Sequence, residues 1–355
     1  MSSLSWFTRA VVGWYASGHR DLPWRRTRDP YRIWLSEVLL QQTRVDQGMP
    51  YYERFVERWP TVEALATADE QEVLKAWQGL GYYSRARNLL SAARQVVHVH
   101  GGRFPDTRAG LRQLQGVGEY TAGAIASICF GRPEAVVDGN VYRVLARVFA
   151  IGTPIDSTAG QREFRALAAA LLPKTAPGDH NQAVMELGAT VCVPRAPLCD
   201  RCPVSPRCLA RRQGCIDRLP VKGGRGRVRE RHFNHLCIAT DGGLVLRKRT
   251  GKDIWAGLHE PPLLESPHPL APAAFRSALR RAFGPGWKVH GHTGPVRHVL
   301  SHQVLHLTYW EVTPPRSFAP PADWRAVAGP HLDRHPVPRP IERYLALRRP
   351  AEPGP

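Results

Sequence analysis

An all-α N-terminal half followed by a separate α+β domain is the architecture this 355-residue sequence predicts. Three observations carry it. Apolar residues recur at helical spacing from residue 4 to about 215, a basic stretch without periodicity follows, and short β-like runs come after it. At roughly 100–200 residues per domain the length allows two or three domains. Apolar residues make up 43% and charged residues 22%, which excludes wholesale disorder. No run of about 18 apolar residues occurs, so no membrane span is expected. Residues 1–20 are amphipathic rather than continuously apolar, so the chain is not expected to be secreted.

In chain order, Ile33, Trp34, Glu37, Val38 and Gln41 belong to one helix, and Glu72, Val73, Ala76 and Trp77 open another. Leu89, Leu90, Ala93, Val96 and Val97 continue the pattern, as do Val141, Val144, Leu145 and Val148. Asp29-Pro30, Trp59-Pro60-Thr61, Gly79-Leu80-Gly81 and Gly101-Gly102 punctuate it. The strand-like signal in this half is Ala135-Val136-Val137. Residues 217–231 hold six basic and two acidic side chains, and a flexible linker is expected at 218–232. Beyond it, 235–239, 243–247 and 303–310 read as strands, and 273–283 and 341–347 as helices. The Pro-rich stretch 349–355 is expected to be disordered.

Lys and Arg total 49 against 30 Asp and Glu, a formal net charge of +19. That imbalance in a globular chain points to a polyanionic partner, most often nucleic acid. An anionic membrane is the rival, but no basic amphipathic anchor supports it.

Four of the seven cysteines, Cys192, Cys199, Cys202 and Cys208, share a C-x6-C-x2-C-x5-C spacing. The odd total argues against a disulfide framework and for a local metal or cluster site. Four close thiolates suit tetrahedral zinc or a [4Fe–4S] cluster. Zinc sites usually pair two short knuckles and one is present here, which favours the cluster. Arg195, Arg201, Arg207, Arg211 and Arg212 interleave with the cysteines and suit phosphate contact.

Gly116-Val117-Gly118 lies between two helical stretches, where a tight turn and a helix N-terminus together seat a phosphate. Alone it equally describes an ordinary helix–turn–helix with glycine caps. Beside the charge and the cysteines, a helix-hairpin-helix gripping a DNA backbone is the better reading. Glu37 projects among Leu35, Val38, Leu39 and Leu40. Desolvation there would raise its pKa and keep it protonated as a general acid, whereas the bland alternative is a glutamate bonded to a neighbouring turn. Asp138 precedes the helix from Val141 and is either a simple N-cap or a second site carboxylate.

The segments WLSEVLLQQT (34–43), GLGYY (79–83), the hairpin, VDGNV (137–141), Asn181-Gln182 and the four cysteines resemble the MutY-type adenine DNA glycosylases. These belong to the helix-hairpin-helix, endonuclease III-like superfamily. The resemblance implies a catalytic region at 1–217: a six-helix module over about 22–132 and a [4Fe–4S] cluster subdomain from 1–21 plus 133–217. It also implies a Nudix-like lesion-recognition domain at 233–348. The implied substrate is double-stranded DNA with A:8-oxoguanine or A:G mispairs. A monomer is expected, in the cytoplasm and nucleoid-associated if the source is bacterial.

By the same resemblance Glu37 protonates N7 of a flipped adenine and Asp138 stabilises the oxocarbenium-like sugar. Tyr120 and Asn140 line that site. Gln42 and Tyr82 match wedge residues, and Arg20, Leu22, Trp24, Arg25 and Glu186 match adenine-pocket positions. Residues 255–258 (WAGL) and 296–302 (VRHVLSH) match the Nudix-like domain. There Ser301 and His302 match a lesion-reading Phe-Ser-His loop, with Leu300 in place of the Phe. The glutamate-rich box of Nudix hydrolases is absent, with RSALRRAF at 276–283, so this domain should read rather than hydrolyse. An endonuclease III-type pyrimidine glycosylase and lyase would place a lysine where Tyr120 stands, and tyrosine cannot form the imine. A non-catalytic lesion-binding protein would leave both Glu37 and Asp138 without a role.

Overall fold

The computed structural model of the chain describes residues 5–224, 228–240 and 243–348, so the expected tail at 349–355 lies outside the described residues. The helices of the first half are α1 (Ser5–Gly18), α2 (Pro30–Leu40), α3 (Val45–Arg58), α4 (Val62–Ala66), α5 (Glu70–Ala76), α6 (Ser84–His100), α7 (Arg108–Leu111), α8 (Glu119–Phe130), α9 (Gly139–Val148), α10 (Thr158–Leu171), α11 (Pro177–Thr190) and α12 (Leu209–Arg212). No helix among the described residues is long and apolar enough to cross a membrane. Side-chain caps start many of them: Asp29 for α2, Thr61 for α4, Thr107 for α7, Asp138 for α9 and Ser157 for α10. Each satisfies an orphan backbone N–H and contributes about 1 kcal/mol.

The chain forms two compact units. The first joins the residues up to Thr67 to Asn88–Gly224, and the second joins Ala68–Arg87 to the chain from residue 225 onward. In the first unit α1 and α9 each pack on α10 and α11, with Phe7, Val11, Val144, Phe164 and Leu187 in one core. Helix α2 packs on α3 and α8, and α7 on α8. Helix α11 approaches both groups closely. A Cβ at Gly178 would lie 2.7 Å from Ile128 Cα, and one at Gly188 would lie 2.6 Å from Asn140 Cβ.

Residues 135–137, expected as a strand, form no strand and pair with none. A side chain holds the stretch in place: Asn181 accepts from Val136 N at 3.4 Å and donates to the neighbouring Glu134 O at 2.8 Å. The basic stretch expected to be a linker over 218–232 is partly structured. Leu219 is buried, Gly223 N donates to Asp156 Oδ1 at 2.7 Å, and a strand already begins at Arg229.

The second unit contains β1 (Arg229–Cys237), β2 (Ala239–Thr240), β3 (Gly243–Lys248), β4 (His259–Glu260), β5 (Leu263–Ser266), α13 (Pro272–Phe283), β6 (Lys288–Val299), β7 (Gln303–Thr313), β8 (Trp324–Ala328) and α14 (Arg339–Leu347). One sheet runs β5-β1-β7-β6 with β1 and β7 parallel; the other is built from β2, β3 and β4 with β8 on β3. Phe233, Leu246, Leu307, Val327 and Ile341 form one core, and α13 covers a second around Leu236 and Trp310. Residues 68–87, expected within the helical module, group here because their polar side chains find partners here. Gln71 Nε2 donates to Gly257 O at 3.3 Å, Gln78 Nε2 to Glu342 Oε1 at 2.7 Å, and Tyr83 Oη to Val337 O at 3.4 Å.

Candidate active site

Two helices of the first unit present the same stripe to one cavity: Ile33, Ser36, Glu37 and Leu40 from α2, and Gln182, Met185, Glu186 and Ala189 from α11. Both sets follow i, i+3, i+4, i+7, the single face of an α-helix. The cavity, about 590 Å³, is closed by Tyr120, by 138–140 and by Arg20, Leu22, Trp24, Arg25 and Gln42. That volume suits one flipped nucleotide. Among the first-unit residues that the sequence assigns to catalysis or base recognition, the structure gathers every one here.

Glu37 lines this cavity and is half-buried among apolar neighbours. Burial pushes its carboxyl up to about 7, the Tyr120 hydroxyl pulls it down, and Asp138 raises it further. The Tyr120 hydroxyl has one proton and two acceptors in reach, Met185 Sδ at 3.1 Å and the Glu37 carboxyl. An ionised carboxylate is the stronger acceptor, so this proton follows the charge on Glu37. Tyr120 itself is pushed well above its ordinary value by burial and by both carboxylates, and stays protonated.

Asp138 turns out to be an N-cap and a cavity residue at once. Its Oδ1 accepts from Val141 N at 2.7 Å and its Oδ2 from Asn140 Nδ2 at 2.8 Å. Burial raises its pKa, and these two donors with the Arg143 charge oppose that rise. Two donors and a helix N-terminus favour the charged form of Asp138, whereas no backbone donor does so for Glu37.

Glu186 is fixed by two arginines. Arg20 Nη2 and Arg25 Nη2 each lie 2.7 Å from its Oε2. Burial would raise this carboxyl, but those bonds hold it down at about 2. Leu22 and Trp24 are buried beside them. Gln42 is exposed and adopts a left-handed backbone with φ 57°. Tyr82 belongs to the second unit, is 44% exposed and has φ 47°. Non-glycine residues avoid this region at a cost of roughly 1–3 kcal/mol, so both exposed side chains are held in strain.

In the hairpin, Gly116 has φ 78° and Gly118 starts α8 without any side-chain cap. A Cβ at Gly116 would lie 2.6 Å from Asn88 Cβ. The first N–H groups of α8 therefore lack a side-chain acceptor, as an anion seat requires. Val117 is buried and anchors the turn, leaving Gly116 and Gly118 exposed. Ser301 and His302 sit exposed at the β6–β7 tip, with Ser301 Oγ 3.2 Å from His302 Nδ1. Leu300 instead packs inward against the core.

Cys192, Cys199, Cys202 and Cys208 line one small pocket with Val144, Leu187 and Val191. Burial, with the other three thiols adding to it, pushes Cys202 up to about 11. Among the described residues the ligand atoms found within 4.8 Å of one another in a group of three belong to Glu230, His232 and His306, not to the cysteines. A tetrahedral zinc with bonds of about 2.3 Å would hold its sulphurs roughly 3.8 Å apart. The wider set of four thiols around one centre fits a cubane cluster better.

Sequence reasoning missed the residues behind the site. Arg143 donates to Asn140 Oδ1 at 2.8 Å and to Cys192 O at 2.7 Å. Arg147, only 3% exposed, donates to Val193 O at 2.8 Å and faces Cys192 Sγ at 3.5 Å. Met185 was missed too, although it could have been found, because it falls on the α11 stripe with Gln182, Glu186 and Ala189.

Comparison with known proteins agrees with this arrangement. Residues 35–169 match the family described as the HhH-GPD superfamily base excision DNA repair protein, and residues 235–347 match the NUDIX domain. The chain is 39% identical to the adenine DNA glycosylase of Homo sapiens over 90% of its own length and 70% of that protein. It is 49% identical to the adenine DNA glycosylase of Rattus norvegicus over 60% of its own length, and spans only 44% of that relative. A thermostable thymine-DNA glycosylase structure superposes with TM-score 0.54 at 32% identity, covering 58% of this chain and 95% of that one. An endonuclease III trapped on DNA, at 22% identity and TM-score 0.51, shares the fold over 60% of this chain and 99% of its own.

Proposed function

Because this chain belongs to the adenine DNA glycosylases, hydrolases of N-glycosyl bonds, we propose that it excises adenine mispaired with 8-oxoguanine or guanine from double-stranded DNA. The observation that carries this reading is the carboxylate pair in one base-sized cavity, Glu37 near 7 and Asp138 held by two donors. A flipped adenine enters the cavity, and Glu37 donates its proton to N7, making the base a better leaving group. As the glycosidic bond breaks, the ionised Asp138 faces the positive charge that develops on the sugar. Water adds to the sugar and Glu37, now a carboxylate, takes its proton. Tyr120 hydrogen-bonds Glu37, and Asn140 orients Asp138. Arg20 and Arg25 hold Glu186, and with Leu22 and Trp24 they shape the wall that the adenine meets.

At the cavity wall Gln42 is a wedge that fills the stack the base leaves, and Tyr82 is a second wedge residue. Gly116 and Gly118 present backbone N–H groups to a phosphate beyond buried Val117. Ser301 and His302 read 8-oxoguanine, with Leu300 bracing the loop rather than stacking. Cys192, Cys199, Cys202 and Cys208 hold a [4Fe–4S] cluster, which staples the loop they share. The protein acts as a monomer, in the compartment that holds the chromosome.

An endonuclease III-type lyase is disfavoured by Tyr120, which is protonated and has no amine. The test is excision from an A:8-oxoguanine duplex, assayed with and without alkali. Strand breaks that need alkali support a monofunctional glycosylase. Breaks without alkali, or no release of adenine, overturn it.

A further inference from the structure

Strand β1 alternates, so Glu230, His232, Asn234 and Leu236 share one face of its sheet. Parallel pairing sets His232 beside His306 and Leu236 beside Trp310. Helix α13 covers one end of this face, where Phe275 stacks on Trp310 at 4.0 Å. Beyond that helix the face turns polar. A cavity of about 400 Å³ there is lined by Glu230, His232, His268, His292 and His306.

Polar groups at a strand end are ordinarily just solvated. Here three observations point to a ligand. One ligand atom from each of Glu230, His232 and His306 lies within 4.8 Å of the others. The two imidazoles stack nearly parallel, 4.7 Å apart with 16° between planes. His306 Nε2 is buried without a hydrogen-bond partner, and its nearest carboxylate oxygen, Glu230 Oε2, stands 3.4 Å away. That separation is longer than a charge-assisted hydrogen bond, and no hydrogen bond joins the two atoms.

We propose that Glu230, His232 and His306 form a binding site for a divalent transition-metal ion, zinc in the first place. Two imidazoles and a carboxylate are a borderline donor set that favours zinc over magnesium or calcium, with water or a further group completing four-coordination. The ion would clip the start of β1 to the middle of β7. None of the three ligands belongs to the thiol pocket or to the base cavity, so this metal is independent of the iron–sulfur cluster.

The experiment uses the full-length, cluster-loaded protein, dialysed against a chelator and titrated with zinc chloride. One zinc per chain should survive gel filtration and raise the melting temperature, with iron content unchanged. His306→Gln and His232→Gln should each weaken zinc binding at least tenfold. Glu230→Gln, at an exposed position that should not disturb folding, should weaken it several-fold. Cobalt in the same site should show no sulphur-to-metal charge-transfer bands. Failure to retain zinc at tenfold molar excess overturns the proposal. So does unchanged affinity in Glu230→Gln together with a cobalt spectrum dominated by thiolate, which would move the metal to the cysteines.

Discussion

Arg143 decides which way Asn140 faces. Its Nη2 lies 2.8 Å from Asn140 Oδ1, so the other end of that amide, Nδ2, is left to donate to Asp138 at 2.8 Å. The same guanidinium bonds Gly188 O and Cys192 O, each at 2.7 Å. A residue that touches no substrate thus sets the hydrogen bonding of a site carboxylate.

Arg143→Met should therefore lower the single-turnover excision rate by roughly 10- to 100-fold while changing duplex affinity little. Lysine should rescue poorly, because a single ammonium cannot reproduce the fork of donors. Equal losses in rate and affinity would mean that Arg143 merely supports the fold.

Glu37→Gln should bind a lesion duplex but lose excision by several orders of magnitude, since the amide keeps the shape and cannot supply the proton. In the parent enzyme the rate should fall as pH rises through about 7, where Glu37 gives up its proton. Stability should move as well. The folded carboxyl sits above its ordinary 4.5, so the folded state binds the extra proton between those values and loses stability as pH rises through that window. Glu37→Gln should melt higher than the parent at pH 8 and about equally at pH 4.5. A melting difference that does not change with pH refutes the buried-acid assignment.

Gln42→Gly removes a side chain from a left-handed position, φ 57°. Thermal stability should rise by about 0.5–1 kcal/mol while excision from duplex DNA falls. The same exchange at Tyr82, φ 47°, should go the same way. Unchanged excision in both variants would remove the wedge role.

Cys199→Ser should lose iron, the broad absorbance near 400 nm typical of such clusters, and DNA affinity together. Arg147→Ala should lose iron too and cost roughly 3 kcal/mol, because several loop carbonyls lose their buried donor. A colourless, fully active parent protein with stoichiometric zinc in the thiol pocket would refute the cluster.

Duplex affinity should fall steeply with salt, as expected for a protein of net charge +19. The slope of log K against log salt should be on the order of −4 to −7. A slope near zero would take the basic surface out of the interface.

Short-range chemistry made much of this site legible. Glu37 could be read because α2 is apolar around it, and the four thiols because their spacing is local. Arg143 and Arg147 were invisible for a physical reason. Charged residues at i, i+4 on an amphipathic helix ordinarily face water, and only the folded loop supplies the carbonyls that bury Arg147. Strand β6 was missed because it is an edge strand interrupted by Gly291, Gly294 and Pro295, with bulges between Val289 and Gly291 and between Thr293 and Val296. Such a strand shows no clean alternation. Nor could composition show where residues 68–87 group, since the partners of Gln71, Gln78 and Tyr83 lie 186 to 264 positions away in sequence.

That grouping bears on how the protein is made. A ribosome delivers residues 68–87 long before Gly257, Val337 and Glu342 exist. The early helices can collapse as they emerge, but the side chains of Gln71, Gln78 and Tyr83 meet these far partners only once nearly the whole chain has been synthesised. Stopping translation at residue 224 would therefore not yield a clean half-molecule. It would release a helical body with one internal loop of sequence still searching for its other half, a natural handle for chaperones and proteases.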